Sequence, residues 1–279
     1  MLSLVVIVAV LLAPPDTEED QAADLKPGQA VASDYLHENY RADAARYGFQ
    51  RDEREGQQFE LVEKPILRWA NDDDWSGDVF VWTHKGCPEV IGCILSGPGS
   101  AANRLVFHEF HLLSSHPLAS VKLNTNRRWQ PVAGLERALV AEAPQPAATA
   151  TGRLTQMRAV SRKFTAHMQA DSPWELRLLP QPLYRYAGVE GDVIDGALFA
   201  YVWTKGTDPE VLLLLEARKT ADTLAWHFAP VRFSNRPVWL QHKGREVWRV
   251  DSHGEPNTGS TDLIYTTGFA RDMPKPLPE

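Results

Sequence analysis

Across 279 residues the chain has only two cysteines, Cys87 and Cys93, and its longest largely apolar run, Leu2 to Ala13 with Ser3 inside it, is about twelve residues. A helix that crosses a bilayer needs about 20 apolar residues, so this run is too short to span and suits the hydrophobic core of a secretory signal instead. No cysteine stands near its end, which leaves a bacterial lipoprotein anchor without support. Glu89 to Ile94 has the composition of a strand, and at about 3.3 Å per residue that would put the two cysteines roughly 20 Å apart, beyond disulfide reach. An exported fold of this kind must rely on its core. Net charge is small as well: 36 acids against 29 bases leave −7, and five of the acids (Asp16, Glu18, Glu19, Asp20, Asp24) precede the body of the chain. A general nucleic-acid or anionic-membrane surface is therefore not expected. The common catalytic signatures GxSxG, P-loop, GxGxxG, HExxH and CxxC are all missing, and with them the usual enzymes that carry them. Neither a cofactor nor a metal site is expected.

What the chain does have is an internal echo. Val79-Phe80-Val81-Trp82-Thr83-His84-Lys85-Gly86-Cys87-Pro88-Glu89-Val90 returns 121 residues later as Ala200-Tyr201-Val202-Trp203-Thr204-Lys205-Gly206-Thr207-Asp208-Pro209-Glu210-Val211, with six of twelve positions identical, rare Trp and Pro among them. Arg68-Trp69 answers Arg185-Tyr186, Ser114 to Pro117 answers Ser234 to Pro237, and Trp129 answers Trp248. Self-similarity at a fixed period predicts repeated architecture.

Each copy, 33–140 and 151–271, carries one amphipathic helix and about five short runs of β-branched and aromatic residues separated by turn signals. The expected fold is α+β and β-rich: two duplicated units of one helix plus about five antiparallel strands, packed on a shared core or joined into one curved sheet. Ser33 suits the N-cap of the first helix, with Leu36, Tyr40, Ala44 and Tyr47 on one face and Gly48 as its stop. Leu154 to Met168 suits the second, with Leu154, Met157, Val160, Phe164 and Met168 inward and Arg153, Arg158, Arg162 and Lys163 on a solvated basic face. Asp208-Pro209-Glu210 before a Leu-rich run resembles a helix start. Its counterpart Pro88 to Ile94 holds β-branched residues and an interior glycine, so both segments are expected to be strands. Residues 1–13 form the signal-like segment, 14–32 an acidic tether, 141–150 an Ala/Pro linker and 272–279 a disordered Pro-rich tail.

Polar residues that occur in one copy alone need a reason other than the fold. In Phe107-His108-Glu109-Phe110-His111, side chains of a strand alternate, so only Glu109 and His111 can converge, as a carboxylate–imidazole pair able to act as general base or simply as a solvated strand pair. The second copy has Ala229 and Val231 there. His108 falls on the opposite face as a hydrogen-bonded core histidine. Asp72-Asp73-Asp74-Trp75-Ser76-Gly77-Asp78 opens like a calcium loop but has Thr83 where the bidentate Glu belongs, which favours an acidic hairpin loop. Of the nine tryptophans, Trp82/Trp203 and Trp129/Trp248 recur in pairs and suit core packing, while Trp75, Trp174, Trp226 and Trp239 recur nowhere and are candidates for stacking on a ligand. Cys87 lacks any neighbour that would lower its thiol pKa and is expected to be inert.

The stretches Leu178 to Tyr186, Asp195 to Val202 and Gly206 to Arg218, with Leu67-Arg68-Trp69, Val79 to Trp82 and His108 to His111, resemble an uncharacterised family of exported proteins from planctomycete-type bacteria. The resemblance implies a periplasmic or extracellular bacterial protein and brings no activity or site. The leading expectation is thus a non-enzymatic exported binding or structural module, its groove between copies holding an unknown apolar or sugar-like ligand or a protein partner. A half-barrel carrier of an apolar ligand is one version. The alternative is a hydrolase-like enzyme using Glu109 and His111.

Overall fold

The computed structural model describes residues 27–52, 58–188, 191–203, 206–220, 223–254 and 259–275. The signal-like segment, the tether up to residue 26 and residues 276–279 lie outside the described residues. In chain order the elements are α1 (Pro27–Ala44), β1 (Glu60–Leu61), β2 (Leu67–Ala70), β3 (Ser76–His84), β4 (Cys87–Pro98), β5 (Asn103–Leu112), β6 (Val121–Lys122), β7 (Arg127–Trp129) and β8 (Ala138–Leu139). Then come α2 (Ala150–Ser161), β9 (Phe164–Gln169), β10 (Pro173–Glu175), β11 (Arg177–Leu178), β12 (Tyr184–Tyr186), β13 (Val193–Val202), β14 (Pro209–Thr220), β15 (Thr223–Arg232), β16 (Val238–His242), β17 (Arg245–Val250), β18 (Gly259–Thr261) and β19 (Tyr265–Pro274). The chain is β-rich, with antiparallel sheets that curl into a half-barrel. Residues His37–Lys275 form one compact unit; of the other, only Pro27 to Leu36, the start of α1, is described.

Two six-stranded sheets dominate that unit, and they follow the same order. One runs β1-β3-β4-β5-β19 with β2 also on β3; the other runs β11-β13-β14-β15-β8 with β12 also on β13. The outermost strands cross over between halves: β19, from the end of the chain, pairs with β5, and β8, from the first half, pairs with β15. Both hairpins carry a register shift near their turn, but not at the same depth. Trp82 pairs with Val90 in the first, whereas in the second the ladder ends one pair beyond Tyr201–Val211, at Val202–Pro209. The turn Lys85-Gly86 has φ of 50° and 79°, and Lys243-Gly244 between β16 and β17 has 52° and 77°. Two successive positive φ values are what a two-residue hairpin turn needs to match strand twist, and glycine takes the second without strain.

Alternation then decides the layers. Val79, Val81, Ile91 and Cys93 from the first sheet share one core with Leu198, Ala200, Val202, Leu212, Leu214, Ala229 and Val231 from the second, so the inner faces close on each other. The outer face of the second sheet packs Phe199, Tyr201, Leu213 and Leu215 against Met157 and Val160 of α2 and against Phe164, Ala166, Met168, Val238 and Leu240. Those last five come from a four-stranded sheet ordered β10-β9-β16-β17. The outer face of the first sheet is aromatic: Phe49 meets Trp82 edge-on at 4.9 Å, Tyr47 meets Phe110 at 4.7 Å and Phe110 stacks on Trp129 at 5.9 Å. The expectation of paired tryptophans in the core thus holds for Trp82 and Trp129, both fully buried.

Several expected boundaries move. α1 begins at Pro27, six residues before the expected cap at Ser33, and so takes in residues 27–32 of the expected tether; it ends at Ala44, before Gly48. Proline is well placed in a first helical turn because its missing N–H has no helical partner there. α2 stops at Ser161, not Met168, and starts from Thr149, whose hydroxyl accepts from Gly152 N at 3.1 Å. Phe164 and Met168 belong to β9, which alternates buried and half-buried residues along its length. A spacing of four satisfies a helix face and, being even, a strand face too, so Val160, Phe164 and Met168 could not separate the two. The expected disordered tail begins too early: Asp272, Met273 and Pro274 pair with Leu105, Arg104 and Asn103 in β19. Pro209 to Thr220 is a strand, as the repeat required against the local helix signal.

Candidate functional site

Where the β3–β4 turn meets the second sheet, a cavity of about 350 Å³ opens between the two inner faces. His84, Lys85, Cys87 and Glu89 come from the turn and its strands, Ser114 to His116 from the segment after β5, and Tyr186, Asp192, Glu216 and Arg218 from the second sheet and its loop; Arg51 and Arg137 complete the wall. The lining is rich in charge, and most of that charge is paired. Glu216 Oε1 accepts from Tyr186 Oη at 2.6 Å, and its Oε2 accepts from Arg137 Nε at 3.1 Å and Arg218 Nη1 at 2.5 Å. Burial would push this carboxyl up, but Arg137, the Tyr186 hydroxyl and Arg218 together hold it below the usual carboxylate range. Arg137 also donates to Leu135 O and Leu113 O, and Arg218 to Asp192.

Glu89 is different. Only 5% exposed, it accepts one bond, Arg51 Nη2 to Oε1 at 2.7 Å, while its Oε2 and the Nε of Arg51 are buried with no partner among the described residues. A buried polar atom without a partner costs about 1–3 kcal/mol and asks for one. Cys87, at the start of β4, is free; burial first, then the charges of Glu89 and Glu216, push its thiol up, which keeps it protonated.

Glu109 and His111 do share a face, as alternation predicts, but that face is the core between the sheets: they are 9% and 2% exposed. Glu109 accepts a hydrogen bond from Tyr265 Oη, and burial pushes its carboxyl up to about 8, with Glu210 adding to the shift. His111 Nδ1 donates to Leu112 O at 2.8 Å, and burial pulls its imidazole down to about 4. Each therefore has a hydrogen bond inside the protein. Around them, burial pushes Glu210 up to about 6 and also raises Asp208, while Arg232 lies 5.2 Å over the Tyr265 ring.

No protein-family model, curated protein or solved structure matches this chain.

The four unpaired tryptophans do not converge. Trp226 is 1% exposed and belongs to the core under α2. Trp75 packs into the space left by Gly97, where a Cβ would meet its ring at 2.3 Å, and sits 5.7 Å from Phe107. Trp174 meets Trp203 edge-on at 6.4 Å. Trp239 lies between the His167 ring, stacked at 5.1 Å, and the Arg249 guanidinium at 4.4 Å. On the ladder Trp174 pairs with Met168 and Trp239 with His167, so alternation puts them on opposite faces of their sheet. The acidic loop is closed locally: Asn71 Oδ1 accepts from Asp73 N and Trp75 N, and Arg104 Nη1 donates to Asp74 Oδ1 at 2.7 Å. Among the described residues no three His, Cys, Asp or Glu side chains are grouped as metal ligands, and no helix is long and apolar enough to cross a membrane.

His108 is the core histidine expected, held between Tyr47 Oη at 2.5 Å and Asp43 Oδ2 at 3.2 Å. Arg271 from β19 donates to the same Asp43. Sequence reasoning placed Tyr47 only on the face of the first helix and did not single out Asp43, Arg51, Glu89, Arg137, Glu216 or Arg218. One signal was available for Glu89: it stands at an identical position of the repeat, where a charged residue in an otherwise apolar strand is unusual.

Proposed function

We propose that the protein is a non-enzymatic exported binding module, built from a duplicated β-rich unit, that holds a small polar ligand in the cavity between the two sheets. The duplication reading draws support from the matching strand order and from the outward Trp and inward Glu that recur at the turn. The observation that carries the function is Glu89, a nine-tenths buried carboxylate on the wall of a 350 Å³ cavity with one oxygen unsatisfied. Ligand pockets begin at about 300 Å³ and fix their ligands through a few such polar groups. The apolar-carrier version has less support, since the apolar inner faces pack on each other and the cavity wall is charged. The hydrolase reading needs Glu109 and His111 to meet a substrate, and both are committed to partners in the core.

Native mass spectrometry of the protein purified without denaturation tests this. A small polar adduct is expected, and it should be lost from Ser115→Trp, which fills the exposed rim of the cavity. Ligand-free protein whose melting temperature does not respond to any small polar compound would sink the proposal.

A further inference from the structure

The two ends of the cavity differ in what they leave open. At one end, Glu216 is saturated by Tyr186, Arg137 and Arg218, and both guanidiniums are spent on it, on Asp192 and on main-chain carbonyls. At the other end, Arg51 and Glu89 meet through one bond, which leaves an acceptor, Glu89 Oε2, and a donor, Arg51 Nε, both buried and unpaired. A carboxylate only accepts and a guanidinium only donates. An occupant that satisfies both must donate at one atom and accept at the same or a neighbouring atom, which is what a hydroxyl, or two adjacent hydroxyls, can do.

Charge narrows the class further. The wall carries Arg51, Lys85, Arg137 and Arg218 against Glu89, Asp192 and Glu216, close to balance. An anion would complete Arg51 but approach the free oxygen of Glu89, in a wall that also carries Glu216 and Asp192. A cation would complete Glu89 but enter a wall that already holds four positive groups. Burying a charge without its own counter-charge is expensive, so a neutral occupant is preferred. The volume is at the lower end for ligand pockets, enough for one ring-sized molecule.

Resting on the binding-module reading above, we propose that the occupant is a neutral monosaccharide or a comparable small polyol, gripped by Glu89 and Arg51. Hydroxyls would take the free oxygen of Glu89 as donors and the free N–H of Arg51 as acceptors once the Arg51 side chain, 28% exposed, shifts to uncover them.

Ligand-observed NMR titration of the whole protein with glucose, galactose, mannose and myo-inositol tests this, alongside glucuronate, glucosamine and acetamide as anionic, cationic and amide probes. At least one neutral polyol is expected to bind. Its affinity should fall tenfold or more in Glu89→Gln, which removes the charge and keeps the shape, and glucuronate and glucosamine should bind at least tenfold more weakly than glucose. Should Glu89→Gln fail to fold, Arg51→Gln, at a side chain 28% exposed, is expected to give the same loss. Tighter binding of a charged sugar or of acetamide would overturn the polyol assignment and leave the binding-module reading standing. A polyol that binds both variants as well as the parent would overturn the assignment to Glu89 and Arg51. Silence from every probe, together with no adduct in the native spectrum, would overturn both readings.

Discussion

Glu216 on β14 and Glu109 on β5 both lie on an inner sheet face, and each accepts a hydrogen bond from a tyrosine, Tyr186 for one and Tyr265 for the other. Burial acts on both in the same direction. Yet Glu216 is held below the usual carboxylate range, and Glu109 is pushed up to about 8. The difference is the cations: Arg137 and Arg218 bond directly to Glu216, while Arg232, near Glu109, spends its Nε on Ser234 O and its Nη2 on Arg236 O. A tyrosine hydroxyl alone does not offset the loss of water around a carboxylate; a bonded guanidinium does. One end of the inter-sheet layer is therefore ionic and surrounds a cavity, and the other is a cluster of acids held toward neutrality.

The largest expected effect breaks the ionic end. Glu216→Gln leaves Arg137 without its carboxylate and Arg218 with Asp192 alone, and should lower stability in urea by about 3–5 kcal/mol. Glu109→Gln at pH 7 replaces a group that the folded protein keeps mostly protonated and removes its ionisation in the unfolded chain, so it should leave stability unchanged or raise it. Equal losses in the two variants would erase the contrast.

The next effect is in pH. Between its ordinary value of 4.5 and about 8, unfolded Glu109 has lost a proton that the folded state keeps, so its contribution falls as pH rises through that window. His111 works the other way between about 4 and its ordinary 6.5, because only the unfolded state is protonated there. The two contributions oppose each other from about 4.5 to 6.5, and that of Glu109 stands without this opposition from about 6.5 to 8. Relative to the parent, Glu109→Gln should gain stability steadily as pH is raised from 5 to 8, by at most about 1.4 kcal/mol per pH unit, and the gain should level off above 8. Urea melts at pH 5, 6.5, 8 and 9 read this, and a flat difference across the series would mean that Glu109 is ionised in the folded protein.

The smallest effect separates the tyrosines. Tyr265→Phe takes from Glu109 its one side-chain hydrogen bond among those described, and should cost about 1–3 kcal/mol, whereas Tyr186→Phe leaves Glu216 its two arginines and should cost about 0.5–1.5 kcal/mol. Thermal melts of the two variants in one buffer give the order; a reversed order would mean that the cations do not protect Glu216.

Much of this architecture could be read along the chain. The repeated Pro-Glu-Val placed β4 and β14 correctly, even where Asp208-Pro209-Glu210 and its leucines spoke locally for a helix. Trp82 and Trp129 were placed in the core by recurrence. The site was far less legible. Glu109 and His111 drew attention because they are polar in a strand, but the same alternation that brings them together turns them into the core. The cavity is built from Arg51, Glu89, Arg137, Glu216 and Arg218, which no local spacing connects; each looks like an ordinary charge until the sheets close. The end of β19 was missed because Asp272 to Pro274 open a charged, Pro-rich stretch that suggests a tail, and only the pairing with β5 gives it a strand's hydrogen bonds.

By itself, then, the order of residues determined which segments extend, where the turn Lys85-Gly86 reverses the chain and which side of each strand is apolar, because these follow from nearest-neighbour sterics and a period of two. Tertiary structure alone decided which carboxylates stay charged. Glu216 and Glu109 are chemically the same residue, and what separates them is whether a guanidinium from a distant part of the chain arrives to replace the lost water.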